Sequence, residues 1–168
     1  MTFITRGLSG VSIGTNSLTF LRDQIKAPCT VSTSMPFQAP GRHAFEVSMP
    51  QKEARTAIGL SADPMATYLT PSYSKQTKRY VSMGGAGFMY PSSRASGARY
   101  GEGDMVRVEI DFDCAPPSVT FLVNGAQAAV VAWEHGSSAY PCISSEGGTV
   151  ICEFRFDHFG SQQPTTSS

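Results

Sequence analysis

The sequence predicts an all-β protein, an antiparallel β-sandwich, on three observations. Apolar and polar residues alternate one-for-one over short runs, and turn-forming residues recur between those runs. No stretch shows the apolar period of an amphipathic helix, and no repeat of fixed length divides the chain. With 16 glycines and 11 prolines in 168 residues, and charged residues at only 15%, the balance suits many short strands joined by turns. A chain of this length suits one domain that buries roughly 70% of its unfolded surface. Residues 1–160 are read as that domain and 161–168 as a polar, disordered tail.

In chain order, residues 10–14 and 17–21 read as two short strands around a Gly-Thr-Asn turn, and 29–33 as a third that ends before Pro36. His43, Phe45 and Val47 share one face of a strand over 41–47. The strand over 55–61 holds Gly59, a sign of a bulge or of close backbone approach. Residues 80–83 and 87–90 flank a turn at Gly84-Gly85. Val106, Val108, Ile110 and Phe112 then alternate with Arg107, Glu109, Asp111 and Asp113, which gives a strand with one apolar and one charged face. Val119, Phe121 and Val123 repeat the pattern, and Asn124-Gly125 supplies the two positive-φ residues of a type I′ turn into a third strand over 126–131. Trp133 follows that strand and is expected to close one end of the core. Strands over 140–145 and 149–156 complete the chain, with Glu146-Gly147-Gly148 between them.

These elements carry a resemblance. Glu102-Gly103-Asp104-Met105-Val106, Ile110-Asp111-Phe112-Asp113 and Val119-Thr120-Phe121-Leu122-Val123-Asn124-Gly125 resemble the central signature of the SPRY domain family. Gly41-Arg42-His43-Ala44-Phe45-Glu46-Val47, Ala57-Ile58-Gly59-Leu60, Tyr140-Pro141-Cys142-Ile143-Ser144 and Cys152-Glu153-Phe154 are similar to further family motifs in the same order. The chain departs from the pattern at Phe45 and near Thr56, where the family usually has tryptophan, and in the short approach to Gly103-Asp104. The resemblance implies a divergent member with a bent, concanavalin A-like sandwich of two sheets. It also implies recognition of a protein or peptide by loops at one edge, without catalysis or cofactor.

Thirteen basic and thirteen acidic residues cancel, so the whole molecule has no net charge to steer it toward nucleic acid or an anionic membrane. No apolar run approaches the ~20 residues of a membrane span, and residues 1–7 lack the apolar centre of a signal peptide. The expected location is cytoplasmic or nuclear, the expected state of the isolated domain a monomer. Cys29, Cys114, Cys142 and Cys152 form no Cys-x-x-Cys pair and have no histidine at zinc spacing, so free thiols and no metal site are expected. Cys152 shares the apolar phase of Val150, Phe154 and Phe156 and reads as a small buried hydrophobe.

One segment breaks the neutral average. Residues 65–101 contain no Asp or Glu but hold Lys75, Lys78, Arg79, Arg94, Arg99 and five of the six tyrosines. Tyrosine and arginine combine contact area with directed hydrogen bonds, so recognition is expected here. In peptide-binding SPRY domains the loop after the Ile-Gly-Leu strand and the loop before the last strand border the ligand. The resemblance therefore points to Tyr68, Leu69, Tyr73, Lys75, Arg94 and Arg99, with Ser145, Glu146 and Gly147 from the second loop. The basic excess fits an acidic or carbonyl-rich peptide. Two other readings stay open. Glu109 and Asp111, two apart on a strand and so about 6.6–6.8 Å apart at the backbone, resemble the carboxylate pair of a small retaining glycoside hydrolase. Lys75, Lys78, Arg79, Arg94 and the tyrosines have the composition of a single-stranded nucleic-acid surface. His43, His135 and His158 are dispersed and assemble no triad; His43 is expected to be a hydrogen-bonded core residue.

Overall fold

The computed structural model describes residues 3–4, 11–20, 29–52, 55–63, 79–146 and 149–158. Tyr68, Leu69, Tyr73, Lys75, Lys78, Gly147 and the tail expected at 161–168 lie outside the described residues. Within them run fourteen strands and no helix: β1 (Phe3–Ile4), β2 (Val11–Gly14), β3 (Ser17–Phe20), β4 (Cys29–Thr33), β5 (Phe37–Gln38), β6 (Arg42–Lys52), β7 (Arg55–Ser61), β8 (Tyr80–Gly84), β9 (Met89–Tyr90), β10 (Met105–Asp111), β11 (Ser118–Val123), β12 (Ala126–Ala132), β13 (Ser138–Glu146) and β14 (Val150–His158).

They form two antiparallel sheets. Sheet I has the order β1-β4-β13-β7-β8-β9, with β5 paired to β13; sheet II has the order β12-β11-β10-β6-β14-β3-β2. Sheet I gives the core Val31, Ile58, Leu60, Met83 and Ile143, and sheet II gives Leu18, Phe45, Val108, Phe121 and Phe154, all buried in one cluster. That is the expected sandwich. The alternation in β10 and β11 is realised residue by residue: Val106, Val108 and Ile110 are buried, while Arg107, Glu109 and Asp111 are half-buried on the opposite face. A register shift opposite Phe121/Leu122 makes Ala128 an extra residue in β12. Trp133 is buried, and its indole N–H donates to the Gly136 carbonyl at 3.0 Å. Cys152 is buried as expected; Cys29 and Cys142 are also buried, Cys114 is exposed, and all four are free thiols. His43 is half-buried rather than central: it stacks on Phe37 at 5.2 Å, and Nε2 lies 2.8 Å from the Gln38 carbonyl.

The turn at Asn124-Gly125 has φ of 51° and 83°, and it is tied to the Gly-Asp pair that precedes β10. Asn124 Oδ1 accepts from the Met105 N–H at 2.9 Å, and Nδ2 donates to Asp104 Oδ1 at 2.8 Å. Asp104 Oδ2 accepts in turn from the Gly101 N–H at 2.7 Å. The Asn124 bond, followed by the Gly101 N–H, holds the Asp104 carboxyl below its ordinary range. Asn124→Ala removes both side-chain bonds and a residue suited to positive φ. The expected loss is about 1–2 kcal/mol, read as a lower urea midpoint at unchanged m-value.

Two strand ends set up the site. β6 runs on to Lys52, past the expected limit at Val47, because Met49 bonds Asp104 and Gly103 through its N–H (3.1 Å) and carbonyl (2.8 Å). β13 continues through Ser145 to Glu146 as the partner of β7, with Ser145 opposite Thr56 and Glu146 opposite Arg55. The chain passes from sheet II to sheet I between Lys52 and Arg55, and back between Glu146 and Val150. These crossings lie side by side, since Val150 pairs with Lys52.

Candidate functional site

The carboxylates that suggested a hydrolase are organised by arginine. Arg107 Nη1 donates to Glu46 at 2.8 Å and to Asp157 at 2.9 Å, and Nε donates to Glu109 at 2.7 Å. Arg155 reaches Glu46 and Asp157, and Arg42 reaches Glu109 and Asp111. Burial raises the Asp111 carboxyl, but the Asp113 N–H, Cys114 and Arg42 outweigh it and leave Asp111 below its ordinary range. An acid catalyst needs the opposite shift, a carboxyl kept protonated near neutrality. Asp113 is structural as well: its Oδ1 accepts from the Gly41 N–H at 2.9 Å, and its own N–H donates to Asp111. The charged face of sheet II is thus a lattice of ion pairs.

A cleft of about 660 Å³ opens at the double crossing. Alternation along paired strands puts Arg55, Ala57, Ser144, Glu146 and Gly84 on the outward face of sheet I, and these residues line it. Lys52 borders it from sheet II, and Gly85, Phe88, Tyr90, Arg99 and Tyr100 complete the wall. Tyr100 fixes that wall. It is buried, and its hydroxyl donates to the Met83 carbonyl at 2.8 Å, with the Thr56 carbonyl 3.1 Å away. Its backbone N–H bonds the Gly85 carbonyl at 3.2 Å, and the Gly85 N–H bonds the Thr56 carbonyl at 3.1 Å. Lys52 Nζ sits 5.6 Å from the centre of the Tyr100 ring. Burial lowers the Lys52 ammonium below the usual lysine range, against an opposing pull from Asp104. A Cβ on Gly85 would meet Lys52 Nζ at 2.9 Å, so the turn admits the lysine because it carries no side chain.

The expected site residues divide. Arg99 and Glu146 are brought together in the cleft. Arg94 is exposed beside β9 but does not line it. Ser145 is not a loop residue: its position in β13 turns it inward, and its hydroxyl is fully buried without a partner. The two loops that were expected to border the ligand spring from opposite ends of β7, one after Ser61 and one opposite Arg55. Of the tyrosines proposed for base stacking, Tyr80 and Tyr100 are buried and offer no ring face to a nucleotide. Lys52, Arg55 and Phe88 were not anticipated, and Tyr90 only as one of the tyrosines of the basic segment. Sequence signals did exist in the basic residues flanking the β6–β7 turn and in the glycine pair after β8.

The SPRY domain model matches residues 42–158, well over half of the chain. The chain belongs to the SPRY domain family. Solved structures agree on the fold. The SPRY domain of human HERC1 superposes with a TM-score of 0.69 at 13% identity, covering 91% of this chain and 94% of that one. A second human SPRY domain gives 0.65 at 16% identity, with 91% and 97% covered. The carbohydrate recognition domain of Emp47p gives 0.56 at 10% identity, with 89% and 86% covered. No curated protein sequence matches. The family signature now has a physical content in this SPRY domain: Gly103-Asp104 and Asn124-Gly125 are the two halves of one hydrogen-bonded corner. Asp111 and Asp113 clamp the start of β6 to the end of β10.

Proposed function

We propose that this SPRY domain is a protein-interaction module that holds an acidic stretch of a partner protein, or a short linear peptide, in the cleft at the double crossing. One observation carries the reading. Arg42, Arg107 and Arg155 on sheet II are each paired with carboxylates, whereas Arg55 and Arg99 at the cleft have no carboxylate partner among the described residues. A guanidinium presents a rigid fork of donors to a carboxylate, and charge-assisted bonds of this kind are about twice as strong as neutral ones. Tyr90 and Phe88 beside them add aromatic contact area. Asp104 acts on Lys52 and works against an acid there, which favours Arg55 and Arg99 for the ligand's carboxylate.

Fluorescence polarisation with short labelled peptides in a Gly/Ser background tests this, comparing Glu-containing peptides with Gln-matched controls. Glu-dependent binding is expected, and Arg55→Ala/Arg99→Ala should weaken it about tenfold, or about 1.4 kcal/mol. Both arginines are exposed, so the double variant should fold normally. Equal binding of the Gln controls, or full affinity in the double variant, would refute the assignment.

A further inference from the structure

The cleft does not end at Arg99. A second hollow of about 390 Å³ shares Ala86, Phe88 and Arg99 with it and continues toward the edge of sheet II. Both volumes fall in the range of ligand pockets. The second hollow differs in character, because its floor and walls are Gly87, Ala95, Gly97 and Ala98 with Phe88 standing beside them. Phe88 is the one aromatic among the large apolar side chains exposed in the described residues, at 45%. Phe88 and Ala95 are directly opposed across an antiparallel bridge, so both side chains rise on the same side.

The hollow is held open by main-chain bonds. The Gly84 N–H donates to the Phe88 carbonyl at 2.8 Å, Met89 to Arg94 at 2.7 Å and Ser96 to Gly87 at 2.8 Å. The Gly97 N–H donates at 2.7 Å to the carbonyl of Ala128, the extra residue of β12, which anchors this wall to sheet II. A Cβ on Gly97 would stand 2.9 Å from that oxygen. The bulge and the glycine therefore fix the wall before any ligand arrives.

We propose that the two hollows take a single extended peptide. Its acidic residue lies at Arg55 and Arg99, and an apolar side chain further along the same peptide packs in the second hollow against Phe88. This rests on the acidic-ligand reading above and adds a second specificity element to it. The shared Arg99 fixes the order, because a peptide that pairs with it enters the neighbouring hollow by continuing along its own chain. Beyond the shared Arg99 the second hollow is lined by Gly, Ala, Ser and Phe88 with no further charge, which selects for an acid combined with an apolar group, not for two acids.

The probe is a set of labelled Gly/Ser peptides carrying one Glu, alone or with one Leu at successive distances from it. At one spacing the Leu peptide should bind about tenfold tighter than the Glu-only peptide. Phe88→Ala should abolish that advantage, so that within the variant the Leu peptide binds no tighter than the Glu-only peptide; Phe88 is exposed, so the fold should survive. Glu-dependent binding with no gain from Leu at any spacing, or a gain that persists in Phe88→Ala, overturns the inference while the acidic-ligand reading stands. Absence of Glu-dependent binding overturns both. A wild-type dimer in sedimentation that Phe88→Ala dissolves also overturns it, since a second copy would then occupy the hollow.

Discussion

Gly59→Ala is expected to destabilise the protein by about 3 kcal/mol or more. Gly59 lies in the interior of β7, opposite Cys142 of β13 on one side and Ser82 of β8 on the other. A Cβ built there would stand 2.0 Å from the Val81 carbonyl oxygen and 2.6 Å from the Ser82 Cα. Both are main-chain atoms of a paired strand, so no rotamer change can relieve the overlap. Only parting β7 from β8 makes room, and that breaks the ladder that also positions Gly84 at the cleft. A loss of this size is a large part of a typical stability of about 5–15 kcal/mol. It should lower the melting temperature by about 6–12 °C for a chain of this size. Gly101→Ala is the control. A Cβ there has nothing within 4 Å, and its effect should stay within about 0.5 kcal/mol. Thermal and urea unfolding of the two variants decide the matter, and a Gly59→Ala loss under about 1 kcal/mol would contradict the steric account.

The same strand shows what the amino-acid order made legible. β4 and β7 fall where the residues indicated, and the glycine in β7 marked a close approach. The identity of the approaching chain was not readable, since Val81 comes from a separate strand. Sheet II was legible by alternation because its outer face meets water, as the half-buried Arg107, Glu109 and Asp111 show. Sheet I offered less. β4 and β8 are buried at every residue, so their polar positions, among them Thr30, Ser32 and Ser82, mark no face that meets water. The end of β13 was read to within one residue, at Ser145 against Glu146, but Ser145 was also counted with the loop, although its side chain is buried.

The cleft was less legible than the sandwich. Its cations come from two separate segments, Lys52 and Arg55 at the β6–β7 turn and Arg99 after β9, and only the topology brings these together. Composition singled out the tyrosine-rich stretch but could not sort it. Tyr80 and Tyr100 went into the interior, and Tyr90 reached the wall of the cleft. Nor does sequence distinguish a paired arginine from an unpaired one. Arg107 and Arg99 look alike in composition, yet the first is held by three carboxylates and the second by none among the described residues.

Arg107→Ala is expected to destabilise the domain by about 2–3 kcal/mol at neutral pH, with the loss shrinking in acid. The arginine is only 15% exposed, and its partners Glu46, Asp157 and Glu109 are 15%, 26% and 29% exposed. Fully exposed pairs contribute at most about 1 kcal/mol, and removing one member of a buried pair costs about 3–5; this partly buried cluster falls between. Its removal leaves three carboxylates close together without the charge that held them. Arg107, more than any other group, keeps the Asp157 carboxyl below its ordinary range. In the folded wild type that carboxyl therefore titrates below its unfolded value of about 3.9. Its contribution is present above about pH 4 and is lost as pH falls through the lower folded value. In Arg107→Ala, protonating the carboxylates relieves their mutual repulsion, so acid removes the penalty that neutrality imposes. Urea unfolding of both proteins should thus show a gap that is widest near pH 7 and narrows toward about pH 3. A gap that held constant over that span would mean that Arg107 contributes packing alone, and that water rather than the guanidinium stabilises the charged face of sheet II.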